Sequence, residues 1–287
     1  MIEPDFLDEL ERLRSALKLE SSALRQGEQR SPRVGEGLTF SDFRRYSPGD
    51  DTRLIDWNLY ARTDEFFIKQ FEEERSLTVH VLLDVSGSMD FGTGATDKFE
   101  YGAKIGLGFA ALTAASHNDF SFWVYRDDAE RLDTGRSNRG EVIALIDRLN
   151  ELQPTGEGDV EAAAAGFADH IRTRSLVVIV SDCLADPAAL ESGVVALSGA
   201  GADVLVVRVI APEEREPDAV GDTLFADLES EATKRSYFGG PFATAYRSRL
   251  EAHVETVAQR VTEMGADHET VDTGADFFES FASVWLE

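Results

Sequence analysis

Three short apolar runs constrain this chain more than any other feature: Leu77-Thr78-Val79-His80-Val81-Leu82-Leu83-Asp84, Leu176 to Ser181, and Val204 to Ile210. Each is continuous rather than alternating, so each reads as a strand covered on both faces, the pattern of a parallel sheet between two helical layers. Helical patterns separate them at Lys98 to His117, Glu141 to Leu149, Val160 to Ile171 and Ala188 to Ser198. Phe120 to Tyr125 supplies another strand, and Leu224 to Leu228 and His268 to Val271 two shorter ones. Pro241 to Met264 reads as a long helix, with proline in its first turn and Gly265 beyond its end, and Asp276 to Trp285 as a terminal one. Strands alternating with helices require βα crossovers, so the expected fold class is α/β, a mostly parallel sheet with helices on both faces.

Upstream the pattern changes. Residues 3–25 carry Phe6, Leu7, Leu10, Leu13, Leu17 and Leu24 at helical spacing among charges, which predicts an amphipathic helix. From Gln26 to Arg62 the chain turns to Gly, Arg, Asp and Ser with isolated aromatics and little periodicity, so a loop-rich stretch is expected there. The predicted division is an N-terminal helix in 1–30, a segment 31–76 packing on the main domain, and the α/β domain in 77–287.

In open parallel sheets ligands bind at the carboxyl ends of the strands. Asp84, Ser86 and Ser88 leave one strand as an Asp-x-Ser-x-Ser loop, and Asp182 leaves another. Carboxylates and hydroxyls are hard oxygen donors that suit Mg²⁺ or Mn²⁺, ions that keep coordination positions open for water or another molecule. The competing reading is a turn with no ligand, since Ser and Gly after a strand often do no more than reverse the chain.

This constellation resembles the metal-ion-dependent adhesion site of von Willebrand factor A domains, which have a Rossmann-like fold. The resemblance implies that Asp84, Ser86, Ser88 and Asp182 hold the ion. The motif also supplies a threonine from a later loop. Here that loop reads Gln153-Pro154-Thr155-Gly156-Glu157-Gly158-Asp159-Val160, with Gly158 at the threonine position and Thr155 three residues earlier. Further upstream, Gly35-Glu36-Gly37, Phe40, Arg44, Tyr46, Pro48-Gly49-Asp50-Asp51, Arg53, Ile55-Asp56-Trp57 and Ala61-Arg62 resemble the signature of the domain of unknown function 58 family. That resemblance covers about residues 30–210. It implies a von Willebrand factor A-type domain behind the signature and a MoxR-type AAA+ ATPase as partner, the chain acting as an adaptor or chaperone-like protein. Read physically, Arg44, Arg45, Arg53 and Arg62 with Asp50, Asp51 and Asp56 are expected to pair and close this segment.

Composition narrows the partners. The formal charge is 28 − 54 = −26, and the cations are five Lys against twenty-three Arg. Acidic residues spread along the whole chain suit a protein soluble in concentrated salt, and they disfavour nucleic acid and anionic membrane as partners. The longest stretch without a charge or amide, Ile105 to Ala115, is too short to span a bilayer, and the N-terminus lacks a basic leader, so a cytoplasmic location is expected. The single cysteine, Cys183, excludes an intramolecular disulfide and reads as a small buried hydrophobe. A hydrolase built on Ser86 or Ser88 with Asp182 and His253 or His268 lacks the Gly-x-Ser-x-Gly elbow. Gly92 to Lys98 lacks the Gly-Lys-Ser/Thr ending of a phosphate loop. The five histidines, His80, His117, His170, His253 and His268, show no zinc spacing. The expected function is therefore non-enzymatic protein binding, through a divalent metal contacting a partner's carboxylate, or else a metal-free scaffold with a degenerate site.

Overall fold

The computed structural model describes residues 1–24, 38–47, 55–63, 65–73, 77–217, 221–226, 228–229 and 233–286. The chain divides into two compact units, one of Met1–Ser21 with Leu77–Glu287 and one of Ser22–Ser76. No helix among the described residues is long and apolar enough to cross a membrane.

In the smaller unit, β1 (Leu38–Arg45) and β2 (Phe67–Glu73) form an antiparallel hairpin, with α2 (Trp57–Thr63) between them in sequence. The loop-rich expectation for 26–62 is corrected here, since β1 and α2 both fall within it. A register shift between Phe40 and Asp42 breaks the two-residue period that would have revealed β1. Tyr60 stacks on Phe66 at 4.5 Å between ring centroids, with Trp57 edge-on to both. Most of the expected arginine network falls outside the described residues. Arg45 makes a two-pronged pair with Glu65 at 2.9 Å, and Asp56 accepts the Leu59 N–H at the start of α2. Gly35 to Gly37, Pro48 to Asp51 and Arg53 lie outside the described residues, as do the side chains of Phe40 and Arg44.

The larger unit is built on a six-stranded sheet. Its strands are β3 (Thr78–Asp84), β4 (Asp119–Tyr125), β5 (Ala129–Arg131), β6 (Ser175–Ser181), β7 (Ala202–Ile210) and β10 (Asp267–Asp272). They lie in the order β10-β7-β6-β3-β4-β5, all parallel except the short edge strand β5. This is the doubly wound, Rossmann-like order, which reverses between β3 and β6 and opens a crevice at their carboxyl ends.

The strands are buried on both faces, as their apolar runs require. Val79, Val81 and Leu83 point to one side, where α1 (Asp5–Leu24), α3 (Lys98–Ala115), α4 (Arg139–Glu151) and α9 (Phe277–Leu286) cover the sheet. Leu82, Val177 and Ile179 point to the other, beneath α5 (Val160–Ala168), α6 (Pro187–Gly199) and α8 (Gly240–Glu263). On that side the His80 ring meets Phe167 edge-on at 5.2 Å, while its two nitrogens bond Ser121 at 2.7 Å and Ser175 at 3.2 Å. Burial lowers its pKa to about 4, with the Arg131 charge adding to the effect.

Three segments differ from expectation. After β7, where no helix was expected, the chain makes one helical turn, α7 (Pro212–Arg215). The expected strand Leu224 to Leu228 ends earlier, as β8 (Gly221–Ala226), and pairs with β9 (Thr233–Phe238) in a separate two-stranded sheet. Neither β5 nor β9 was expected. One is three residues long and the other, Thr233-Lys234-Arg235-Ser236-Tyr237-Phe238, is largely polar, so neither carries the apolar signal of a core strand.

Candidate functional site

The crevice between β3 and β6 brings together four of the expected residues. Asp84, the last residue of β3, is buried, and its two oxygens are held separately. Oδ1 accepts the Ser86 N–H at 2.9 Å, and Oδ2 accepts the Ser181 hydroxyl at 2.7 Å and the Tyr125 hydroxyl at 3.2 Å. Burial, and after it the nearby charge of Asp182, pushes the Asp84 carboxyl above its ordinary pKa. The same burial, with Asp84 beside it, drives the Tyr125 phenol well upward and keeps it a donor.

Beyond Asp84 the chain makes a tight 3₁₀ turn at Gly87–Met89, which sets the Ser86 and Ser88 Oγ atoms 3.1 Å apart. The turn is tied to the next loop by Gly87 N–H donating to the Gly156 carbonyl at 2.8 Å and Thr155 N–H donating to the Val85 carbonyl at 3.0 Å. Asp182, just beyond β6, is buried on the other side of the crevice. Its Oδ1 accepts the Leu184 N–H at 3.1 Å, and Cys183 between them takes a left-handed φ of 54°, strained backbone for a residue with a Cβ. Burial and then the Asp182 charge raise the Cys183 thiol to about 12, so it stands buried and protonated, as a small hydrophobe would.

Asp84, Ser86, Ser88, Gly158, Asp182 and Glu229 line one small cavity of about 20 Å³, room for one water-sized occupant. Thr155 is exposed and does not line it. Gly158 does: a Cβ there would stand 3.2 Å from Ser86 Oγ and 3.6 Å from Asp84 Oδ1. Among the described residues no three His, Cys, Asp or Glu side chains gather as a metal site. The donor set is two carboxylates and two hydroxyls, and the 3.1 Å between the hydroxyl oxygens fits the edge of an octahedron with bonds of about 2.1 Å.

The chain matches the family described as "Protein of unknown function DUF58" over residues 42–256. It belongs to that family. An uncharacterized protein of Mycobacterium tuberculosis, Rv1480, is 26% identical over 246 residues, covering 85% of this chain and 77% of its own. The Mycobacterium bovis protein Mb1516 is similar to the same extent, 26% over 246 residues. Among solved structures, an aerotolerance-related membrane protein of Bacteroides fragilis is similar with a TM-score of 0.47 and 17% identity, covering 74% of this chain and 98% of that one. The conserved hypothetical protein BatB of Bacteroides thetaiotaomicron gives 0.46 and 13%, covering 74% and 100%.

This DUF58 chain also carries site residues that the motifs did not reveal. Lys98, the first residue of α3, is fully buried and bridges Asp182 Oδ2 at 2.8 Å and Glu214 Oε1 at 2.6 Å. Arg208, buried beneath, donates through Nε to the Asp182 carbonyl at 3.2 Å, and burial lowers its pKa. One signal for Lys98 stood in the sequence. A cation in the first turn opposes the helix dipole, so a lysine directly after the capping Asp97 needs an acidic partner elsewhere.

Proposed function

We propose that this DUF58 chain is a non-enzymatic protein-binding module whose crevice takes an acidic side chain of its partner with a divalent ion between them. The observation that carries this reading is the pair of serine hydroxyls 3.1 Å apart over a cavity of about 20 Å³. Mg²⁺ or Mn²⁺, when bound there, would supply the positive charge that attracts a carboxylate. Ser86 and Ser88 offer hydroxyl oxygens, and Asp84, fixed by Ser181 and Tyr125, offers charge. Asp182, with one oxygen engaged by Lys98, would act through water. Gly158 leaves space for a water where a threonine would stand. Neither Ser86 nor Ser88 is hydrogen-bonded to a histidine among the described residues, and the His253 ring is instead engaged with the Cys183 carbonyl at 2.7 Å. That arrangement favours binding over nucleophilic catalysis. For the partner we adopt the one that family resemblance implies, a MoxR-type AAA+ ATPase in the cytoplasm.

A second reading rests on Lys98. Its ammonium already neutralises Asp182, which favours a metal-free scaffold in which the crevice is structural. Calorimetric titration of the protein with Mg²⁺ and Mn²⁺ in high salt separates the two. Saturable binding that Asp84→Ala abolishes supports the metal-bridged module. No heat of binding in the wild-type chain leaves the scaffold.

A further inference from the structure

The ammonium of Lys98 is held by three groups where it meets the crevice. Its side chain has no exposed surface, Asp182 Oδ2 stands at 2.8 Å, Glu214 Oε1 at 2.6 Å, and the Phe91 ring centroid lies 5.6 Å away. Both carboxylates are anchored independently of it. Asp182 Oδ1 accepts the Leu184 N–H at 3.1 Å, Glu214 Oε2 accepts the Ala211 N–H at 3.0 Å, and the Tyr246 hydroxyl donates to the Glu214 carbonyl at 2.8 Å. The start of α3 is as firmly placed: Asp97 Oδ1 accepts the Glu100 N–H at 2.7 Å, and the Lys98 N–H donates to the Phe91 carbonyl at 2.9 Å. One positive charge is thus fixed in the wall of the crevice.

Two buried carboxylates, Asp84 and Asp182, line a cavity with room for one water-sized occupant. A chain of formal charge −26 concentrates cations at its surface, and buried charge is costly unless it is paired. Without Lys98, the crevice would draw its missing charge from the dissolved salt. Lys98 supplies that charge from within the chain, and a group already fixed in place gives up none of the freedom that a dissolved ion loses on binding. What remains for a soluble cation is Asp84, whose oxygens already accept three hydrogen bonds. Net attraction scales with the ion's charge, so the weakened field fails for an ion of one charge before it fails for an ion of two. We infer that Lys98 is the crevice's built-in monovalent cation, which keeps Na⁺ and K⁺ out of a site left to divalent ions. This shares with the proposed reading the premise that the crevice attracts cations, and it adds which cations are refused.

Urea unfolding followed by circular dichroism, in sodium chloride and in tetramethylammonium chloride at about 1 M each, tests this. Tetramethylammonium screens charge as sodium does but is too large for a cavity of about 20 Å³. The proteins are wild type, the double variant Lys98→Met, Glu214→Gln, and the triple variant with Asp182→Asn added. Changing Lys98 and Glu214 together leaves Asp182 without its cation and spares the fold a second stranded carboxylate. Replacing tetramethylammonium by sodium is expected to lower the unfolding equilibrium constant of the double variant about ten-fold more than that of wild type, the effect of an ion at about ten times its Kd. The triple variant is expected to respond as wild type does. Calorimetry with Mn²⁺ runs beside it, and there sodium should weaken the apparent affinity of the double variant about ten-fold while leaving wild type unchanged. A double variant whose sodium response equals that of wild type, or that is unfolded in both salts, overturns the inference, and Mn²⁺ binding to wild type then leaves the proposed function standing. A double variant that folds in sodium alone supports it. An equal sodium response in the triple variant places the ion elsewhere and overturns it. A sodium response confined to the double variant, with no Mn²⁺ binding in any protein, supports the inference and refutes the metal-bridged reading.

Discussion

Replacing Lys98 by methionine should move stability and cation affinity in opposite directions. The side chain is fully buried, with Asp182 at 2.8 Å and Glu214 at 2.6 Å, and Met keeps its length while removing the charge. Breaking a buried pair from one side leaves uncompensated carboxylates and costs about 3–5 kcal/mol, a large share of the roughly 5–15 kcal/mol that holds a domain together. Arg208 still donates to the Asp182 carbonyl and offsets part of the loss, which favours the lower end. At about 2–4 °C per kcal/mol, the melting temperature should fall by at least about 6 °C. The triple change Lys98→Met, Asp182→Asn, Glu214→Gln should recover part of it, because no buried charge is stranded. The same methionine removes a positive charge a few ångströms from the crevice. At an effective dielectric of about 20, that repulsion on a divalent ion amounts to several kcal/mol before salt screens it. Mn²⁺ should therefore bind the single variant more tightly although it is less stable. Urea denaturation followed by circular dichroism gives the first quantity and calorimetry the second. A Lys98→Met protein within about 0.5 kcal/mol of wild type, or a triple variant no better than the single, refutes the assignment of Lys98 as a charge the fold depends on.

His80 and Gly158 give two further expectations. The folded pKa of His80, about 4, lies below its unfolded value of 6.5, so the unfolded chain takes up the proton first as pH falls. The stability linked to the neutral ring is present above pH 6.5 and is lost between 6.5 and about 4, by at most about 3 kcal/mol. Urea midpoints at pH 7, 5.5 and 4.5 should fall more steeply in wild type than in His80→Gln, and parallel curves would count against this account. Gly158→Thr places a Cβ 3.1 Å from Ser86 Cβ, which demands a shift of a few tenths of an ångström, and brings a hydroxyl to the crevice. Mn²⁺ affinity should rise about ten-fold, within the range by which site-supporting groups alter metal binding. Unchanged or weaker affinity in a folded variant would refute the proposed place of Gly158.

The sheet was legible because its central strands need no tertiary information to be seen. Val79 to Leu83, Val177 to Val180 and Val204 to Val209 are apolar runs broken only by His80 and Arg208, and burial on two faces leaves few other uses for such a run. The rim followed from the sheet, since Asp84, Ser86, Ser88 and Asp182 sit where two of those runs stop. What escaped is non-local or polar. Lys98, Asp182 and Glu214 are 84 and 116 residues apart along the chain and meet only after α3 and α7 are placed. Glu229 reaches the crevice from a hairpin whose second strand is largely polar. In the smaller unit, β1 hid behind a bulge that reads as irregular sequence although its backbone pairs with β2 along most of its length. Gly158, which the loop alignment set at the threonine position, lines the cavity, and a Cβ on it would lie 3.2 Å from Ser86 Oγ.

The chain's single thiol also makes the crevice a clock. Cys183 lines it, 5% exposed, with its ionisation moved from 9.0 to about 12. Three pH units cut the reactive thiolate about a thousand-fold, so a reagent in solution finds almost nothing to attack while Cys183 stays buried. A local unfolding that wets Cys183 would restore ordinary reactivity for as long as it lasts. With no second cysteine to confuse the reading, the rate of labelling counts those openings one molecule at a time, and the timepiece is already part of the native sequence.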